Sequence, residues 1–575
     1  MKKLHSVCQC ILGAGLLMMN FQVVAQHSVD LEKVKDFKIK KTIEVSGGIS
    51  ANTIASLGQQ IDGRDPFTYY ILGNLNIKLG GLVTLPFSFN LTNIGHGFNY
   101  PTPAQRLSIS PKYKWITAHV GDISMNFSPY TLNGYQVRGV GVDLDPKGKF
   151  TFSGIYGRLQ KAVEYDSVNQ VVPAAYSRYG YGAKIQFRQK KYTLGLIAFT
   201  AKDRVNSLVN KPDSIGIFPQ QNLVLSGTVA YFQNKNIELS LEYAANSLTR
   251  DRRDTTSTTT SSNIFKGLMD AGNATSFYNA FKSNLKYKFG NSMLGVGYER
   301  IDPGYQTLGS YYFNNDLENI TFDISQPFLK GKATVTANLG FQKDNLDGKK
   351  ANSTKRAVSS FNLNYTPSAK LYINGSYSNF STYMRVNPLF QVINQTQFQD
   401  PNLQDFSQVS QNANVNLNYT LKKSSKAMQS VNVNLGFLDA SDRQGGVVKF
   451  GNGSQFYNVS TSYTLSLVPQ AASITTAFNF SYNTIGKNNY ATMGPTLSVN
   501  SKLFKTITCR LVTSYNKTSN DGAKENSVFN TRLGFNYAYG KKHTLALDFM
   551  NQLRDVRDRG KTNDLVATFG YNYTF

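Results

Sequence analysis

The residues best suited to proton transfer are four histidines beyond the first 26 residues: His27, His96, His119 and His543. His119 and Asp122 could act as a base and its orienting partner. Their odd separation, however, places the two side chains on opposite faces of a strand. No histidine has metal-site spacing, and no G-x-S-x-G or H-E-x-x-H stretch occurs. We therefore predict no enzymatic activity, no cofactor and no metal.

Charged residues at every second position of two segments indicate a polar surface along a strand. Residues 237–243 place Glu238 and Glu242 on one face, and residues 281–289 place Lys282, Lys286 and Lys288 on one face. A hairpin would bring Glu242 toward Lys282, and Glu238 toward Lys286 or Lys288. These pairs are either ion pairs that hold strands in register, worth about 0.2–1 kcal/mol each, or residues that select a solute.

Further polar and charged side chains are predicted on the same face of other strands. In residues 412–419, asparagine alternates with Ala, Val, Leu and Tyr, and residues 431–437 repeat the pattern. The predicted inward-facing set also includes Lys184, Arg188, Asn412, Asn414, Asn416, Asn418, Asn432, Asn434, Arg510, Arg532 and Asp548.

The elements that must position these residues are strands of about 9–11 residues, the length that crosses a bilayer when tilted. A soluble sandwich with one wet face shows similar alternation. So many strands would leave exposed edges in an open sheet, whereas a closed barrel pairs every backbone group. We predict an all-β fold, a single large antiparallel transmembrane β-barrel with short periplasmic turns and long extracellular loops.

The strand count depends on one ambiguous segment. Hairpins give about 25 visible strands, and both ends of a bacterial barrel lie in the periplasm, which requires an even number. Dividing residues 106–121 at Ser110-Pro111 supplies one more strand, so we predict about 26, within a range of 22 to 26. Residues 439–454 are predicted as one of the long loops.

Composition excludes two other classes of protein. Hydrophobic residues make up 41% of the chain and aromatic residues 13%, while 17% are charged. No apolar run after the N-terminus reaches about 18 residues, which excludes a helical membrane protein. The aromatic content argues against a disordered chain.

The first residues read as an export signal. Residues 1–25 combine Lys2 and Lys3 with a short apolar stretch and the small-residue end Val23-Val24-Ala25. We predict a cleaved signal peptide at 1–25, a basic periplasmic segment at 26–41 and the barrel at 42–575. Cleavage removes Cys8 and Cys10, so Cys509 has no internal disulfide partner.

Positive charge concentrates in the predicted tight turns. The chain has 61 Lys+Arg against 35 Asp+Glu, a formal net charge of +26. Nearly every short turn carries lysine, as at Lys147, Lys190 and Lys541. This predicts a basic rim that either docks an acidic periplasmic partner or draws anions to a pore; the plainer interpretation is solubility and snorkelling of lysine. No basic helix or aromatic-basic motif supports a nucleic-acid partner.

The C-terminal strand ends in Tyr571, Tyr573 and Phe575 and resembles the outer-membrane barrel family. The resemblance implies that these residues are read by the barrel-assembly machinery and that the barrel contacts outer-membrane lipid and lipopolysaccharide. Residues 110–115, 127–134 and 139–142 are similar to Bacteroidota outer-membrane barrels of unassigned, porin-like function.

Two functions remain open from the sequence. The first is an outer-membrane channel or uptake pore for polar or anionic small solutes, with a lumen partly occluded by loops, because an empty barrel of this size would leak. The alternative is a non-conducting structural or accessory barrel of an outer-membrane uptake or protein-secretion complex.

Overall fold

The computed structural model describes residues 43–58, 66–93, 105–166, 174–234, 236–254, 264–265, 267–269, 272–350, 355–379, 382–385, 406–444, 447–485, 487–504, 506–557 and 560–575. The predicted signal peptide and the basic segment 26–41 lie outside the described residues. No helix in these ranges is both long enough and apolar enough to cross a membrane.

Alternating polar and apolar residues form strands almost throughout. The first fourteen strands are β1 (Ile43–Gly58), β2 (Phe67–Leu79), β3 (Val83–Thr92), β4 (Arg106–Ile109), β5 (Lys112–Tyr113), β6 (Ile116–Asn126), β7 (Asn133–Leu144), β8 (Phe150–Gln160), β9 (Arg178–Arg188), β10 (Tyr192–Asp203), β11 (Gln221–Gln233), β12 (Ile237–Thr249), β13 (Thr275–Phe289) and β14 (Ser292–Ile301). The other fourteen are β15 (Leu317–Phe328), β16 (Ala333–Lys343), β17 (Lys355–Ser368), β18 (Leu371–Ser378), β19 (Thr382–Arg385), β20 (Phe406–Lys423), β21 (Ala427–Gln444), β22 (Val447–Leu467), β23 (Ala472–Ile485), β24 (Asn488–Leu503), β25 (Ile507–Asn520), β26 (Ala523–Tyr539), β27 (His543–Val556) and β28 (Gly560–Thr574).

The strands form one closed antiparallel barrel with 26 positions in its wall. Each strand pairs with its neighbours in sequence, and β28 pairs with β1, with Ala51 opposite Tyr571. Segments β4 and β5 share one wall position between β3 and β6, and β18 and β19 share another between β17 and β20. The predicted all-β barrel of 26 strands is therefore confirmed.

The predicted strand division at Ser110-Pro111 is wrong. Proline lacks an N–H donor and interrupts the ladder, but here it does not reverse the chain. The Ser110 N–H still bonds the Pro86 carbonyl at 2.8 Å, so the same wall strand continues past Pro111. The reversal comes at Lys114, whose φ of +53° begins the turn into β6.

Several strands exceed the length expected from bilayer thickness. Strands β20 and β21 each have 18 residues, and β22 has 21. The predicted loop at 439–454 is wrong, because strand pairing continues through Ser441 opposite Gly453 and Arg443 opposite Val448. Cross-strand backbone pairing thus extends through a polar sequence that looks like a loop.

The two rims of the barrel differ in their connections. One rim, here called the short-turn rim, has connections of at most five residues. Examples are 80–82, 114–115, 504–506 and 540–542. Asn234 and Gly290 take positive φ values of +51° and +57° in two of these turns, which the twist of a tight hairpin favours. The longest connections whose residues are all described, 204–220 and 302–316, lie at the other rim.

Candidate functional site

The strand register divides the wall into a polar face and an apolar face. On β20, Asn412, Asn414, Asn416 and Asn418 share one face, and Val415 and Tyr419 on the other face are exposed. Asn432 and Asn434 of β21 lie opposite Asn418 and Asn416, and the Asn432 amide donates to Asn416 Oδ1 at 3.4 Å. All six predicted asparagines therefore lie together on the polar face.

The predicted charge ladder on β12 and β13 has the expected register but different ion pairs. Glu242 lies opposite Lys282, and Glu238 lies opposite Lys286. The Lys282 ammonium contacts Glu299 of β14 at 3.6 Å, whereas Glu242 accepts a hydrogen bond from Ser226 Oγ at 2.9 Å. Each of the carboxylates Glu242 and Glu299 thus has its own partner.

Four further predicted residues lie in three separate places. Lys184 of β9 donates to the Phe127 carbonyl at 2.8 Å, and Arg188 contacts Asp145 at 3.0 Å near the short-turn rim. On the opposite side of the barrel, Arg532 Nε donates to Asp548 Oδ1 at 2.9 Å.

Two further predicted residues lie near the short-turn rim, Lys288 opposite Met293 and Arg510 opposite Asn500 and Gly534. The C-terminal aromatic residues pack at this same rim. Tyr571 OH is 2.8 Å from His543 Nδ1, and the Tyr573 and Phe575 rings are 4.7 Å apart.

Two connections fold against each other: residues 127–132, here called loop A, and residues 302–316, here called loop B. Leu132 and Gly309 form a parallel bridge, and the Asn133 N–H donates to the Gly309 carbonyl at 2.9 Å. Tyr305 OH and Thr307 Oγ1 donate to the carbonyls of Tyr130 and Thr131 at 2.9 Å and 2.5 Å. The two loops therefore form one backbone-paired unit.

This unit is fastened to the polar face of the wall. Asn222 Oδ1 accepts from the Leu308 N–H at 3.2 Å, and the Asn246 amide donates to the Gln306 carbonyl at 2.9 Å. Asn222 and Asn246 are both fully buried. Asn222 pairs across strands with Ala201, and Asn246 with Val224, on the face that also carries Glu242 and Lys184.

Apolar packing reinforces the attachment. Leu132 and Leu308 are buried against Phe199 and Ile197 of β10. Tyr130 and Tyr305 are buried against Val224, Ala244 and Ala280 of the adjoining strands, and Tyr130 OH donates to Glu299. Burial of side chains this large stabilises an arrangement by about 1.5–3 kcal/mol each, so the docked position of loops A and B is the stable one.

Sequence reasoning missed this unit because its members are far apart in the chain. Tyr130 and Tyr305 are 175 residues apart. Neither loop has strand periodicity. The one available signal was the presence of apolar and aromatic residues, Phe127, Tyr130, Leu132, Tyr305 and Leu308, in segments that would otherwise be solvated turns.

His119 has a different carboxylate partner from the one its sequence neighbourhood suggests. Asp122 lies on the other face and binds Arg138 at 2.7 Å. His119 Nε2 is 2.9 Å from Asp143 Oδ2, and its Nδ1 is 3.0 Å from Ser110 Oγ. This serine–histidine–aspartate set spans the wall positions of β4–β5, β6 and β7. Its hydrogen bonds link adjacent strands. Predicting it from the sequence would have required the register between these strands.

The turn lysines recur along the short-turn rim. The exposed lysines of its turns, here called the basic collar, are Lys114, Lys147, Lys149, Lys190, Lys191, Lys330, Lys332, Lys370, Lys422, Lys423, Lys426, Lys502, Lys541 and Lys542. Among described residues, no three or more His, Cys, Asp or Glu side chains are grouped as a metal site would require.

Comparison with known proteins gives no family. No family model matches the chain, and no curated protein matches it. Among solved structures, the translocation pore of the P pilus usher PapC is 12% identical over 92% of this chain and 100% of its own, with a TM-score of 0.41. The ferric enterobactin receptor PfeA of Pseudomonas aeruginosa is 10% identical over 93% and 81%, with a TM-score of 0.37.

The outer-membrane channel DcaP of Acinetobacter baumannii is 11% identical over 60% of this chain and 99% of its own, with a TM-score of 0.28. These three are thus a translocation pore, a ferric enterobactin receptor and an outer-membrane channel. TM-scores below 0.5 do not bear on the function of this chain.

Proposed function

We propose that this protein is an outer-membrane β-barrel whose polar face lines a channel for small polar or anionic solutes. The apolar face, with exposed residues such as Val415, Leu435 and Phe569, would meet lipid. The same proposal includes export by the predicted signal peptide and insertion by the barrel-assembly machinery. It also includes the resemblance to Bacteroidota barrels. The proposal includes no catalytic step and no cofactor.

The observation that carries the proposal is the docking of loops A and B on the polar face. In a closed barrel, loops that return from a rim and pack on one face of the wall narrow the space which that face encloses. The attachment sites, Asn222, Asn246 and Lys184, all lie on β9 to β12. A solute would therefore pass along the asparagine-rich wall of β20 and β21, where no described residue of either loop is attached.

The charges of the polar face support a preference for anions. Lys286, Lys288 and Arg510 lie on this face toward the short-turn rim, where the basic collar adds further positive charge. Glu238 lies opposite Lys286 on the same face, but the excess of positive charge still raises the local concentration of anionic solutes. We expect the channel to admit anions more readily than cations of the same size.

Single-channel recording in planar bilayers tests the proposal. Purified full-length protein should give stable unitary currents, and a KCl gradient should give a reversal potential displaced toward the chloride equilibrium potential. A correctly folded protein that inserts but passes no current would support the alternative, a non-conducting accessory barrel of an uptake or secretion complex. Cation selectivity would contradict the anion preference without contradicting the channel.

A further inference from the structure

The basic collar is a ring of positive charge without acidic partners. Every turn lysine in it is exposed, and the ion pairs among described residues include none of them. Collar lysines occur at eight of the twelve short turns, from the β5–β6 turn to the β26–β27 turn. Because these ammonium groups are not neutralised by described carboxylates, the collar favours the binding of anions.

The opposite rim has cations too, but acidic residues neutralise many of them. Arg253 lies between Asp213 and Asp251 at 2.7 Å and 2.8 Å. Lys524 contacts Asp555 at 2.7 Å, and Lys350 contacts Asp316. Part of the positive charge at the other rim therefore has acidic partners, whereas no collar lysine has one among the described residues.

Exposed aromatic residues lie directly beside the collar. Trp115, Phe150, Phe328, Phe504 and Tyr539 are each within two residues of a collar lysine in the chain, and all five are exposed. Phe504 is 87% exposed and Tyr539 is 64% exposed. Aromatic rings at the end of an apolar band mark the membrane–water interface, so the adjacent lysines lie at the level of lipid headgroups.

We propose that the basic collar binds the anionic headgroups of phospholipids in the leaflet that surrounds this rim. The inference rests on the membrane placement in the proposed function. The collar lysines are spread over eight of the twelve turns around the rim, as a shell of annular lipids would require, whereas a single docked protein would need only one charged arc. Lysine also suits this position, because its long apolar stem packs along the wall while the ammonium reaches the phosphate.

Spin-label EPR of the protein in phosphatidylcholine bilayers tests this inference. Trace phosphatidylglycerol or phosphatidylcholine carries a nitroxide at the same acyl position, and the motionally restricted fraction reports binding to the barrel. We expect phosphatidylglycerol to associate about fivefold more strongly, the ratio expected when one lysine meets an anionic surface. The preference should decline at 1 M salt, where screening is about 3 Å in range.

Charge-reversal variants localise the effect. Replacement of Lys147, Lys149, Lys541 and Lys542 by glutamate should remove at least half of the preference. The matched control replaces four exposed lysines of the other rim, Lys211, Lys355, Lys517 and Lys561, by glutamate and should leave the preference intact. Heat-modifiable electrophoretic mobility checks that both variants are folded barrels.

The outcomes separate this inference from the proposed function. Absence of any motionally restricted lipid would contradict the membrane placement itself. Restricted lipid without a preference for phosphatidylglycerol, or a preference that only the control variant removes, would overturn the collar proposal alone. Collar-dependent binding of polyglutamate without a lipid preference would also overturn it and would indicate an acidic protein partner.

Discussion

Substitution of Asn222 by alanine should release loops A and B from the wall. Asn222 is fully buried, and its side chain accepts from the Leu308 N–H and donates toward the Ser247 and Gln306 carbonyls at 3.2 Å and 3.4 Å. Alanine leaves at least two buried polar groups without a partner, at about 1–1.5 kcal/mol each in the low part of the known range. A loss of about 2–3 kcal/mol shifts the docking equilibrium roughly 30- to 150-fold toward the released state.

Hydrogen exchange measures this shift without reference to function. The amides of Leu308 and Gly309 should exchange roughly 100-fold faster in N222A, because exchange follows local opening. Single-channel currents of the same variant should be larger or should fluctuate between two levels. Asn416→Ala is the matched control, since Asn416 lies on the same polar face and its one described side-chain contact is with Asn432. Equal exchange of loop B in N222A and N416A would refute the docking argument.

Two other perturbations address the same rim. In Gly309→Ala, the new methyl group would lie 2.6 Å from both the Phe199 ring and the Thr131 carbonyl, so loop B should separate from loop A and its amides should lose protection, while unchanged protection would contradict the contact. The Arg253 guanidinium bonded to Asp251 holds the pKa of that carboxyl below its ordinary value, so this contact stabilises the folded segment above the unfolded pKa of about 3.9 and ceases to do so as pH falls toward the folded value. The protection factors of residues 250–254, taken against the intrinsic exchange rate at each pH, should therefore fall in acid, and D251N should remove that acid-dependent part; an equal acid response in D251N would contradict this assignment.

The barrel itself could be predicted because strand alternation is a local property. Each apolar residue at every second position, as around Asn414 and Val415, reports its own face without reference to the rest of the chain. Summed over the chain, alternation gave about 25 strands, and the requirement for an even number raised the prediction to about 26. The strand boundaries were harder to predict from the sequence. A proline such as Pro111 interrupts the hydrogen-bond ladder whether the strand continues past it or ends there in a turn.

Contacts between distant segments could not be predicted in this way. The pairing of Tyr130 with Tyr305 and the His119–Asp143 contact depend on register and on the path of loops across the wall. The charge ladder shows the same limit. Register was predicted correctly for Glu242 and Lys282, but the lysine turns to Glu299 on the next strand, a choice made by side-chain rotamers and by the neighbouring Ser226.

The seam between β1 and β28 constrains how the protein reaches its native state. The strand made first must pair with the strand made last, and the Phe575 N–H donates to the Gly47 carbonyl at 3.0 Å. Until β28 reaches β1, each strand presents an unpaired edge able to join other chains. The newly exported polypeptide therefore needs protection from aggregation until the ring closes, and deletion of β28 would leave the edge of β1 without its partner.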